Sequence, residues 1–171
     1  MRSIGTMFCT LALAVCLAPA ASAQEAEATK LTKMEFSGPI QVPGVTLPAG
    51  TYTFQTPEPG DHIVQIFDKD RSKLLATVMT IPHETPKPTD KTTLVMFAEQ
   101  PAGIPEAVKV WYYPGNPVGE EFIYPKAQAM EIAKAYRTSV LASDSDKVEK
   151  GGKTIRIDEA NAVGTSGTTP R

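Results

Sequence analysis

Proline and glycine cut this chain into pieces too short for a helical fold. Of its 15 prolines, only Pro19 falls within the first 23 residues. The rest cluster with other turn formers: Gly38-Pro39, Pro43-Gly44, Pro48-Ala49-Gly50, Pro57-Glu58-Pro59-Gly60, residues 82–90, residues 101–105 and Pro114-Gly115-Asn116-Pro117, with Pro125 and Pro170 standing apart. Proline lacks the amide hydrogen that a helix interior or a central strand needs, so such clusters mark turns, loops and sheet edges.

Between the clusters the apolar residues follow a period of two, the signature of a strand. Residues 31–36 alternate as an edge strand, and 40–42 and 45–47 are short strand pieces. Residues 51–55 alternate most regularly, with Tyr52 and Phe54 on one face and Thr51, Thr53 and Gln55 on the other. Residues 62–67 and 73–81 read as a hairpin around Asp68-Lys69-Asp70-Arg71-Ser72, with apolar residues on both faces. Residues 92–98, 107–113 and 120–124 complete the strands, and 82–90 reads as a surface loop.

Pro125 then opens a change of period. Ala129, Ile132, Ala133, Tyr136 and Val140 take helical spacing, so a helix is expected over 126–141. The expected architecture is mainly β: an antiparallel β-sandwich or small barrel of about seven to nine short strands, closed by one C-terminal amphipathic helix. The domain is expected over 31–141, after a flexible lead-in at 24–30. Residues 142–171 read as a polar, largely disordered tail, in which 153–158 alternates enough to add one strand.

The first 23 residues carry the three parts of an export signal: Arg2, an apolar run over 4–17, and the cleavage pattern Ala21-Ser22-Ala23. The expected location is therefore periplasmic or extracellular. Both cysteines, Cys9 and Cys16, lie in that leader, with lipidation at Cys16 as a minor alternative. Cleavage would leave no thiol and no transmembrane segment. It would also leave 16 Lys+Arg against 19 Asp+Glu, because Arg2 is the leader's only charged residue. A net charge near −3 gives no basic field for nucleic acid.

No candidate for chemistry converges on a site. His62 and His83 lack metal-ligand spacing. Asp68, Asp70 and Ser72 match the start of a calcium loop, but Lys73 and Met79 stand where its glycine and closing glutamate belong. Glu120 and Glu121 are adjacent on a strand and so point to opposite faces. Asp61-His62 reads as turn chemistry, and Gly115, Gly119 and Gly151-Gly152 lack the setting of a phosphate loop. No catalytic residue, cofactor or metal is assigned.

The aromatic strand is what remains. Lys109, Trp111 and Tyr113 share one face of 107–113. Either the C-terminal helix covers them, with Ile132 and Tyr136 on the indole, or they form an open face for a glycan, a small ligand or an envelope protein.

The phrases LPAGTYTFQ (47–55), ATVMTIP (76–82), AVKVWYYPGN (107–116) and GEEFIYPKAQA (119–129) give the chain a resemblance to a group of small exported bacterial proteins. The resemblance covers about residues 40–135. It implies an exported single domain and carries over no activity, cofactor or catalytic residue. The expected function is that of an exported, non-catalytic β domain acting through binding or a structural envelope role. Carbohydrate or small-ligand binding at Trp111/Tyr113 is the alternative, and a hydrolase with a spatially assembled site is the next.

Overall fold

A computed structural model describes residues 30–58, 60–85, 90–91, 93–97 and 104–162. The expected leader with Cys9 and Cys16, the lead-in up to residue 29 and the chain end from residue 163 lie outside the described residues.

The described chain is mainly β. Its order is β1 (Leu31–Phe36), β2 (Ile40–Val42), β3 (Val45–Leu47), β4 (Gly50–Gln55), β5 (Ile63–Asp68), β6 (Leu74–Glu84), β7 (Thr93–Met96), β8 (Glu106–Tyr112), β9 (Val118–Phe122), α1 (Lys126–Tyr136), β10 (Val140–Ser143), β11 (Thr154–Ile157) and the single turn α2 (Glu159–Ala162). Nine strands join in one sheet, in the order β1-β4-β5-β6-β9-β8-β2-β3, with β7 on β8. Its two ends, β1 and β3, do not pair. The sheet is open and compatible with a sandwich, and the small closed barrel is not formed.

β6 is the spine of this arrangement. Its first half pairs with β5, from Phe67↔Leu74 to Ile63↔Met79. Its second half pairs with β9, from Thr80↔Phe122 to Glu84↔Val118. The strand therefore runs straight through Pro82, which turn chemistry alone places in a loop. Pro82 is tolerated because it lies past the last residue paired with β5, where β6 has one neighbour, β9, among the described residues.

The core forms where Phe54 of β4 meets Trp111 of β8, ring centroids 6.2 Å apart. Phe54, Val64, Ile66, Val78, Val108 and Phe122 are fully buried around that contact. In two places burial does not follow the alternation of the sequence. β4 buries both of its faces, Thr53 and Gln55 included. Arg71 helps to cover the second face: it donates to Gln55 Oε1 at 2.7 Å and lies over the Phe67 ring. Conversely, the second face of the β5–β6 hairpin is only half covered, with Ile63, Phe67, Leu75 and Met79 part-exposed and Leu74 exposed.

The helix starts where expected, with Pro125 as its N-cap, but it stops early. Arg137 takes the left-handed conformation at φ 49° and returns its N–H to the Ala133 carbonyl, a C-terminal cap. Val140 and Leu141 consequently belong to β10, which pairs with β11 from Val140↔Ile157 to Ser143↔Thr154. The strand expected within 153–158 is β11, and its pairing with β10 carries regular structure past the expected boundary at 141. Tyr124 joins this hairpin to the main sheet through a parallel bridge to Ala142. Its buried hydroxyl lies 2.7 Å from the Val108 carbonyl and 3.1 Å from that of Gln41, at the point where β2 runs parallel to β8. Among the described residues no helix is long and apolar enough to cross a membrane.

Candidate functional site

The two glutamates of β9 organise the polar chemistry of the domain. Pairing with β6 and β8 places Glu120 and Glu121 mid-sheet, and both are buried. They point to opposite faces, as adjacent strand residues must. A carboxylate taken out of water is tolerated only where donors and positive charge meet it. Each of these finds a histidine, which accounts for both histidines in the chain.

Glu120 accepts a 2.6 Å hydrogen bond from Thr80 Oγ1 on its Oε2. The same oxygen lies 3.3 Å from His62 Nδ1, and Lys30 Nζ stands 4.0 Å from Oε1. His62 holds φ at 49°, in the left-handed region that non-glycine residues seldom occupy. It sits just before β5, where its carbonyl accepts the Thr80 N–H.

Glu121 is met by a fork. Arg156 of β11 donates from Nη1 to Oε1 at 2.6 Å and from Nη2 to Oε2 at 2.8 Å. His83 Nδ1 lies 3.2 Å from Oε2. Burial works to raise the Glu121 pKa, but the Arg156 hydrogen bonds and charge, helped by His83, outweigh it and hold the group below the ordinary glutamate value. The side chains of His83 and Arg156 are themselves 39% and 47% exposed. The buried acid therefore lies beneath a solvent-facing imidazole and guanidinium.

Tyr112 completes this cluster. Its ring stands edge-on to His83, centroids 6.3 Å apart. Burial and the Glu121 charge both push its phenol pKa up, so it remains a protonated donor. Room for the ring comes from Gly119, where an added Cβ would fall 2.5 Å from Tyr112 Cδ1 and 2.9 Å from the Trp111 carbonyl oxygen. Gly119 thus serves a close approach of ring to backbone. Gly119→Ala should lower stability by about 1–3 kcal/mol, as overpacking does, read from urea unfolding. An unchanged midpoint would show that the ring does not sit there.

The sequence-predicted face does not hold together as an open surface. Trp111 is 1% exposed, so its indole offers no platform. The expected helix cover also differs: the indole meets Phe54, whereas Tyr136 of α1 meets Phe97 and bonds Pro105 and Ala107. Lys109 lies over the Phe97 ring with Nζ 5.9 Å from its centroid, and Tyr113 is half-buried. Both faces of β8 are buried at Val108, Val110 and Trp111, which is why alternation could not identify an outward side.

The other candidates fall into structural roles. Asp68 is saturated by its own turn, accepting from the Ser72 and Lys73 amides and the Ser72 hydroxyl. Hydrogen bonding to Ser72 contributes most to holding its pKa below the usual carboxylate range. Asp61 pairs with Lys150 at 2.8 Å, and the His62 imidazole turns to Glu120. Among the described residues no group of three or more His, Cys, Asp or Glu is placed to hold a metal ion.

The His83–Glu121–Arg156–Tyr112 cluster escaped sequence reasoning because its members come from β6, β9, β11 and β8. One signal was available: two adjacent glutamates in an otherwise apolar strand must find partners once buried. Compared with protein-family models, curated proteins and solved structures, the chain gives no match.

Proposed function

We propose that the protein is exported and acts by binding rather than by catalysis, with the His83–Tyr112–Arg156 face as its contact surface. The observation that carries this reading is the asymmetry around Glu121. The carboxylate is answered inside the protein by three donors, while the side chains above it remain open to solvent. A buried carboxylate orients the side chains that bond it, and side chains already oriented need less reorganisation when a ligand arrives. Export is supported by Arg2, the apolar run over 4–17 and Ala21-Ser22-Ala23. The phrase-level resemblance to small exported bacterial proteins points the same way.

The test is retention of the tagged protein on native envelope fractions by co-sedimentation. His83→Gln should reduce retention about tenfold, the effect of losing one well-placed contact. Lys33→Gln, on the far strand β1, should leave it unchanged. Equal retention of wild type and His83→Gln would overturn the assignment of this face. The mass of the secreted chain checks export: it should begin at Gln24.

A further inference from the structure

We propose that the His83–Tyr112–Arg156 face takes a neutral, hydroxyl-bearing ring, a hexose unit of an envelope or extracellular glycan. The inference rests on the binding reading above and adds the chemical class of the ligand.

The argument is a count of charge and hydrogen-bonding groups. Arg156 carries five N–H donors, and the Glu121 carboxylate takes one from each terminal nitrogen. Three remain. His83 Nδ1 faces a carboxylate, which accepts only, so Nδ1 is the donor, and Nε2 is left to hydrogen-bond a ligand. The Tyr112 hydroxyl has no hydrogen bond among the described residues and can donate or accept. The face thus presents donors and acceptors side by side.

Charge then decides between ligand classes. The guanidinium and the carboxylate cancel at 2.6–2.8 Å. A phosphate or carboxylate ligand would have to share the single Arg156 charge with the buried Glu121 and would stand as a second anion beside it. A hydroxyl has no such conflict, because it accepts from Arg156 or Tyr112 and, being both donor and acceptor, can meet His83 Nε2 in either role. A pyranose ring also carries an apolar C–H side, and the part-exposed Tyr112 ring stands beside the polar groups to meet it.

Isothermal titration of the full-length protein with neutral trisaccharides (β-1,4-glucose, α-1,4-glucose and N-acetylglucosamine) and with the galacturonate trimer tests this. NMR shifts of the His83 and Tyr112 rings locate the site. At least one neutral trisaccharide should bind and shift both rings. Tyr112→Phe, which keeps the ring on Gly119, and His83→Gln should each weaken that binding about tenfold. Their melting temperatures report whether the fold is intact.

Tighter binding of galacturonate, weakening with salt, would overturn the neutral-ring assignment, as would the absence of ring shifts with every neutral sugar. If His83-dependent envelope retention survives either result, only the ligand class fails. If that retention is lost as well, the binding reading falls with it.

Discussion

Trp111→Ala should destabilise the domain by about 3–5 kcal/mol, the range for emptying a buried aromatic site. The indole is 1% exposed and lies 6.2 Å from the Phe54 ring at a 50° tilt. That contact joins β4 to β8, strands that lie on either side of the β6–β9 pair in the sheet order. The cavity would therefore open between the two halves of the sheet, in the close-packed core that also holds Phe122, Val108 and Ile66. Trp111→Phe should cost less than half as much. It keeps an aromatic against Phe54 and removes an Nε1–H that has no hydrogen-bond partner among the described residues. Urea unfolding followed by far-UV circular dichroism is the measurement, since Trp111 is the only tryptophan and its fluorescence disappears with it. A cost within about 0.5 kcal/mol for the alanine variant is the behaviour of a surface residue and would contradict the packing described.

The strands were legible because turn chemistry and period-two alternation act locally. The β5–β6 hairpin follows from Asp68, whose side chain organises its turn without help from distant residues. The helix start follows from Pro125 for the same reason. What failed was decided at long range. β6 continues through Pro82 because β9 supplies a partner there, and Val140 and Leu141, past the left-handed cap at Arg137, find strand partners in β11. Helical spacing at Val140 described a real buried residue and assigned it to the wrong element. Residues 142–158 looked polar enough for a tail, yet Ala142, Ser143 and Ile157 are buried once the hairpin closes on Tyr124.

The candidate site was less legible, for a related reason. Aromatic content drew attention to Trp111, and its size is what buries it. The partners of Glu121 lie 38 residues before it, at His83, and 35 after it, at Arg156. No local rule links positions so far apart, and only the β6–β9 register brings His83 opposite Gly119 and beside the carboxylate. Gly119 lacks the setting of a phosphate loop, and its sequence neighbours suggest no other use. Its actual use, room for the Tyr112 ring, depends on a neighbouring strand that the sequence does not place.

Glu121→Gln should cost about 2–4 kcal/mol at neutral pH, because breaking a buried ion pair by removing one member costs about 3–5 kcal/mol when the other charge stays buried. Here Arg156 and His83 are 47% and 39% exposed and can turn to water, so the cost falls toward the lower end. The loss should also depend on pH. The folded protein holds the Glu121 pKa below its ordinary value of 4.5. The ionised form is therefore the one that folding favours, and its contribution is fully present above about pH 4.5. It is lost as pH falls through the folded value. Wild type and Glu121→Gln should accordingly differ most near pH 7 and converge toward pH 3 in urea midpoints measured at low salt. Salt should narrow the gap only slightly, because the carboxylate is 2% exposed and screening acts weakly on buried pairs. A gap that stayed constant from pH 7 to pH 3 would mean that Glu121 contributes through its shape and not its charge. The fork from Arg156 would then have no electrostatic role in seating β11 on β9.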